Sequence, residues 1–175
     1  MFAGARLTLA RLSDWLDGAS RIFLIFSFAI MILACLLQVF CRYVLNDPLS
    51  WPEELTIYLM AWMTFIGSAV AIKSSEHIAV DIVLNFLPER AKDLLLFLVK
   101  IVTLFIVVYL FKAGLGLTTA STKMISDALG ISMVWPRISM PVGAVLMAIH
   151  LVHMIISDIE KLFGPDIAGE VEEVR

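Results

Sequence analysis

Four uninterrupted apolar runs dominate the chain: Ile22 to Cys41, Leu55 to Ile72, Leu94 to Leu117 and Ile138 to Ile156. Each is long enough to cross the roughly 30 Å hydrocarbon layer of a bilayer, which takes about 20 helical residues. The runs are continuous, whereas the strands of a closed membrane barrel alternate apolar and polar residues over segments of about ten. Helices are therefore the predicted spans. None of the four contains Asp or Glu, and Lys100 and Lys112, both in the third, are the only fully charged residues inside them. The expected fold class is an all-α integral membrane protein: one domain of four transmembrane helices, with tails at residues 1–21 and 157–175.

The flanking segments carry a different pattern. Leu12, Trp15, Leu16 and Ala19 form an apolar stripe with Arg11, Asp14, Asp17 and Arg21 on the remaining faces, which predicts an amphipathic interfacial helix leading into the first span. In the second connection, Asp81, Asn85, Glu89 and Lys92 line one side and Ile82, Val83 and Phe86 the other. Pro88 suits a first helical turn. A third helix from Pro88 to Gly116 would extend about 43 Å, more than the bilayer core needs, so it must tilt or protrude.

Composition agrees. Of 175 residues, 61% are hydrophobic and 17% charged, with mean hydropathy +0.94, far too apolar for a domain with a water-facing surface. The net charge of −3 leaves no basic patch, which excludes nucleic acid as a partner. Orientation follows from the cations, because positive charge near span ends is retained in the cytoplasm. Arg6, Arg11, Arg21, Lys73, Arg90, Lys92, Lys161 and Arg175 lie in the tails and second connection, against Arg42, Lys123 and Arg137 in the first and third. Both termini are thus expected in the cytoplasm.

The sequence "ILAC" at Ile32 to Cys35 loosely resembles a lipoprotein cleavage box, but the apolar run continues past it to Cys41, longer than a signal core. The first run is read as a retained span. Cys35 and Cys41 are six positions apart on one helix and face different ways, so they cannot bridge; they read as small core residues.

The richest stretch is "LSWPEELTIYLMAW", Leu49 to Trp62, where two carboxylates abut a span. Ser50 followed by Glu53 reads as a capping box, with Pro52 in the first turn and both Glu53 and Glu54 at the positive end of the helix dipole. Trp51 is an expected headgroup-level anchor. Arg42 closes the preceding span on the same face, so an ion pair with Glu53 or Glu54 would pin the first hairpin. Lys100 and Lys112 either snorkel to their nearer interfaces or meet acidic or backbone groups of a partner. Gln38 is a candidate interhelical hydrogen-bonder. Gly67 with Ala71 and Ala144 with Ala148 are small pairs that permit close helix approach.

Together "QVFCRYVLND", "LSWPEELTIYLMAW", "IKSSEHIAVDIVLNFLP" and "ALGISMVWPRISMPVGAVLMAIHLV" resemble, in order and spacing from about Gln38 to Val152, the small membrane subunit of tripartite ATP-independent periplasmic (TRAP) transporters, the DctQ-like family. The resemblance implies an inner-membrane protein of bacteria or archaea that is not itself the carrier. In such systems a periplasmic binding protein delivers an organic anion, often a carboxylate or acidic sugar, to a large multi-span subunit that moves it with sodium. The small subunit embraces that subunit's fixed scaffold and adds docking surface. No cofactor is implied, and sodium coupling is expected in the large subunit.

The residues themselves point the same way. An autonomous ion-coupled carrier normally needs mid-membrane carboxylates or broken helices, and the spans show neither. No nucleophile with a matching base, and no phosphate loop, suggests an enzyme. Two rival readings remain. His150 and His153 could serve a haem redox module, although both sit on one helix and His77 lies in a connection; and a small autonomous exporter would transport without partners.

Overall fold

The computed structural model describes the backbone of residues 2–74 and 89–163 and the side chains of residues 11–74 and 95–158. Four long helices carry it: α1 (Phe2–Phe40), α2 (Trp51–Ser74), α3 (Glu89–Ala120) and α5 (Ser139–Phe163), with a short α4 (Val134–Arg137) before the last. Each long helix contains a segment apolar and long enough to span a membrane: Arg11–Leu45, Trp51–Ser74, Leu95–Ala120 and, counting α4 with α5, Val134–Asp158. The expected helical membrane fold is what the chain adopts. The amphipathic pattern expected for the second connection lies outside the described residues.

The expectation for residues 11–21 changes. They do not form a separate interfacial helix; α1 runs without a break through 39 residues, about 58 Å at 1.5 Å per residue. Its buried face is a row of small residues seven apart: Ser13, Ser20, Ser27, Ala34 and Cys41. Seven-residue spacing keeps one seam against a neighbour at a shallow left-handed crossing, and small side chains bring the backbones close. The apolar stripe faces away from the bundle, with Trp15 69% exposed, while Asp14 and Asp17 turn to partners within the chain. This outward placement is the arrangement a lipid environment favours, because hydrocarbon welcomes Trp and Ile but not a carboxylate.

The first span also ends later than expected. A π-helical turn, Cys41–Leu45, follows α1, and Asn46 then reverses the chain with φ of 52°. Asparagine tolerates this left-handed conformation better than most residues.

The helices lie in the order α1, α2, α5, α3. Helix α1 packs chiefly on α2, α3 chiefly on α5, and α5 sits between α2 and α3. Half of the α5 span is buried, compared with 11, 17 and 6% for the first, second and third spans. Its core residues Ala144, Met147 and Leu151 meet Ala69 of α2 and Val107 of α3. Two glycines set these approaches. A side-chain carbon on Gly114 would fall 2.8 Å from Pro141 Cδ, and one on Gly143 would fall 2.5 Å from Phe65 Cβ. The Pro-Val-Gly that opens the last span is thereby explained: the proline seats α3 and the glycine seats α2.

Hydroxyl groups inside the spans are satisfied locally. Thr56, Thr64, Ser68, Thr103 and Thr118 each donate to the carbonyl four residues earlier, which removes the cost of an unpaired donor in hydrocarbon.

Candidate functional site

Polar chemistry collects at the two ends of the bundle. One end carries the connections 46–50 and 121–133 and is called here the loop end; the other, the tail end, carries the start of α1 and the end of α5.

At the loop end, Glu54 is the organising residue. Its Oε2 accepts the backbone N–H groups of Ala128 at 2.9 Å and Leu129 at 3.0 Å, and its Oε1 accepts the Tyr58 hydroxyl. Bonds to a carboxylate are charge-assisted and stronger than neutral ones. The first turn of α2 therefore fastens a segment 74 residues further along the chain. That segment is a compact turn: Ser126 N donates to Ile131 O, Met133 N to Met124 O, and Gly130 takes a positive φ of 65°.

The ion pair expected between Arg42 and Glu53 or Glu54 is not formed. Arg42 lies exposed in the π-helical turn, which rotates less per residue than the α-helix it extends, and the oxygens of Glu54 are already occupied. The Ser50 to Glu53 capping box does not close either; neither side chain has a hydrogen bond among the described residues. Glu53 is exposed. Trp51 is half-buried and opens α2.

At the tail end, sequence reasoning missed a clasp that joins three helices. Ser13 Oγ and His150 Nδ1 share a hydrogen bond of 2.8 Å, both side chains being 1% exposed. Lys73 Nζ donates to Asp14 Oδ1 at 2.7 Å and to the Ser13 carbonyl at 3.0 Å. Arg21 donates to Asp17 and to Ser74 Oγ, both at 3.0 Å. The available signal was Asp17 four residues before Arg21; Asp14 finds Lys73, which is 59 residues away in sequence and was read only for orientation.

Lys100 is not a lone snorkelling cation or a partner contact only: its Nζ lies 2.7 Å from Asp158 Oδ2, with side chains 12 and 15% exposed. The pair ties α3 to the end of α5, and losing either member would leave a largely desolvated charge. Lys112 is exposed and has no ion-pair partner among the described residues. Ala144 lies in the core as the small-pair reading anticipated, while Gly67 faces Leu24 of α1 at ordinary contact distance.

These features can be set against known proteins. The family model described as tripartite ATP-independent periplasmic transporters, DctQ component, matches residues 31–161. The chain is 32% identical over 127 residues to the sialic acid TRAP transporter small permease protein SiaQ of Vibrio cholerae, covering 73% of each chain. It is 31% identical over 85 residues to the C4-dicarboxylate TRAP transporter small permease protein DctQ of the same species, covering 49% of this chain and 37% of that one. The sialic acid TRAP transporter permease protein SiaT of Haemophilus influenzae is 31% identical over 144 residues, 81% of this chain but 22% of the longer protein. The match takes in the Glu54 fastening, the Pro-Val-Gly seat and all of α2, α3 and the α5 core, so the four-span bundle is a transporter component and not an enzyme: the chain belongs to the DctQ family of TRAP transporters.

Proposed function

We propose that this chain is the small, non-catalytic scaffold subunit of a sodium-driven importer of an organic anion, working with a large membrane subunit and a periplasmic binding protein. The observation that carries the reading is the row of unbroken helices. In three of its four spans fewer than a fifth of the residues are fully buried, and among the described residues Asp14, Asp17, Glu54 and Asp158 are engaged within the chain near the two ends of the bundle, while Glu53 is exposed. Such a row has apolar surface to offer a partner, and among the described residues no span interior carries a carboxylate for an ion or substrate. The SiaT match supports a large partner, since there the similar segment is part of a much longer permease chain. The printed substrates of the relatives, sialic acid and C4-dicarboxylate, support an acidic cargo. Arg42, Glu53 and Lys112, all exposed, and the half-buried Trp51 at the start of α2 are the contact residues assigned to these partners.

Reconstitution tests the reading. The chain alone in liposomes is expected to transport nothing, and uptake is expected only when the large subunit, a binding protein and an inward sodium gradient are all present. Uptake by this chain alone would replace the scaffold with the autonomous exporter.

Orientation is tested separately. With both termini in the cytoplasm, as the eight-to-three distribution of cations implies, a cysteine at Asp127 reacts with an impermeant reagent from outside and one at Ser75 does not, in a background lacking Cys35 and Cys41. The reversed labelling pattern would invert the protein.

A further inference from the structure

A groove of about 380 Å³ opens between α3 and α5 on the outer surface of the bundle. Its walls are Val107, Val108 and Phe111 of α3 and Val145, Ile149 and Val152 of α5; Ala144 and Ala148 form a floor too small to fill it, and Leu12 of α1 closes one end. The lining is aliphatic or aromatic throughout. From Ala144 to Val152 the groove descends eight helical residues, about 12 Å, close to the roughly 15 Å depth of one bilayer leaflet. It therefore runs from near the middle of the α5 span toward its tail end, where Leu12 closes it.

The open end has its own chemistry. Leu12 is flanked by Arg11 and Trp15, which are four residues apart and adjacent on the outward face of α1. Trp15 is 69% exposed, and Arg11 is exposed with no ion-pair partner among the described residues. Side chains on a helix slant toward its N-terminus, which carries the guanidinium toward the tail-end surface. An indole sits well at headgroup level, and a guanidinium recognises phosphate through several donors at once. An unfilled apolar groove forfeits dispersion contacts along its whole length, and the neighbouring molecules at that depth are lipid chains.

We infer that the α3–α5 groove is a phospholipid site, with one acyl chain lying between Phe111 and Leu12 and the phosphate of an anionic headgroup held by Arg11 beside Trp15. The lipid would fill the outer side of the seam between two helices that also meet through Val107, Met147 and Leu151, at Gly114 and at the Lys100–Asp158 pair. The inference is independent of transport and of which leaflet the tail end faces, because it concerns the isolated chain.

Native mass spectrometry of the full chain in mild detergent, with phosphatidylglycerol and phosphatidylcholine supplied together, tests it. The wild type is expected to keep one lipid through delipidating washes, with phosphatidylglycerol preferred. Val145→Trp and Val108→Trp fill the groove from opposite walls at exposed positions, and each should lower retention of both lipids by about tenfold, the scale of several lost methylene contacts. Arg11→Gln should reduce the preference for phosphatidylglycerol by about fivefold, the factor expected for one basic residue near a membrane surface, while leaving phosphatidylcholine bound. Thermal melting of each variant is followed in parallel, so that loss of lipid with an unchanged melting point is assigned to the groove. No retained lipid in the wild type, or wild-type retention in both tryptophan variants, overturns the proposal. So does a groove that holds no lipid but whose Val145→Cys is shielded from thiol reagent when the large subunit binds, which would give the groove to a partner helix.

Discussion

Gly143→Ala is expected to destabilise the bundle by about 1–3 kcal/mol, lowering the melting point in detergent by roughly 5–10 °C. The added carbon would stand 2.5 Å from Phe65 Cβ, 2.9 Å from its carbonyl carbon and 3.0 Å from its carbonyl oxygen. Two of those three atoms are backbone, so the conflict cannot be relieved by a rotamer change; α2 and α5 must separate. Because α5 is the helix on which both α2 and α3 pack, the separation weakens the core around Ala69, Ala144 and Met147. Phe65→Ala keeps its own Cβ and is not expected to rescue, whereas Phe65→Gly should recover part of the loss. Gly18→Ala and Gly116→Ala provide the comparison: nothing lies within 4 Å of either new carbon, and replacing glycine inside a helix gains about 0.5–1 kcal/mol. A Gly143→Ala protein that melts with the wild type would mean the α2–α5 approach is looser than described.

Removing the Glu54 carboxylate is expected to release the 121–133 connection while the spans remain folded. Glu54→Ala removes the acceptor of the Ala128 N–H and leaves the Leu129 N–H only the longer bond to Ser126 Oγ at 3.2 Å and the Tyr58 hydroxyl only the weak acceptor Met133 Sδ. Ala128 is exposed and can turn to water; Leu129 is half-buried and cannot do so freely. The cost of about 1–3 kcal/mol should appear as five- to hundredfold faster amide exchange at these two residues. Glu54→Gln keeps one oxygen for the backbone donors and should fall between. Arg42→Glu should leave exchange in the turn unchanged, since Arg42 takes no part in the fastening, and Arg42→Glu with Glu54→Arg should be no better than Glu54→Arg alone. Rescue by that double exchange would restore the Arg42–Glu54 pair and displace the Ala128 and Leu129 contacts as the role of Glu54.

Glu54 marks where sequence reasoning stopped. Its place at the start of α2 was legible, and so was the conflict between a carboxylate and an apolar span, because both depend on residues within one turn. Tyr58 could have been found as well, being one turn further on the same face. Ala128 and Leu129 could not: they offer only backbone N–H groups, which every non-proline residue possesses, and nothing in their side chains marks them as partners. The same limit hid the tail-end clasp. Asp14, Ser13 and Arg21 read as parts of an interfacial helix because their partners, Lys73, His150 and Ser74, come from two other helices.

The sequence by itself determined that the chain forms four membrane helices, where they approximately lie and that their interiors lack carboxylates. A span is a local property, set by about 20 consecutive residues that must satisfy their backbone groups within themselves. Only the tertiary structure decided that α5 is the central helix, that α1 continues unbroken through residues 11–21, that Lys100 meets Asp158, and that Pro141 and Gly143 seat two different neighbours. In a chain apolar on nearly every face, the hydrophobic pattern cannot tell a lipid-facing side from a packed one. That choice is made by steric fit, where a missing side chain lets two backbones meet, and by the few polar groups that find each other across helices.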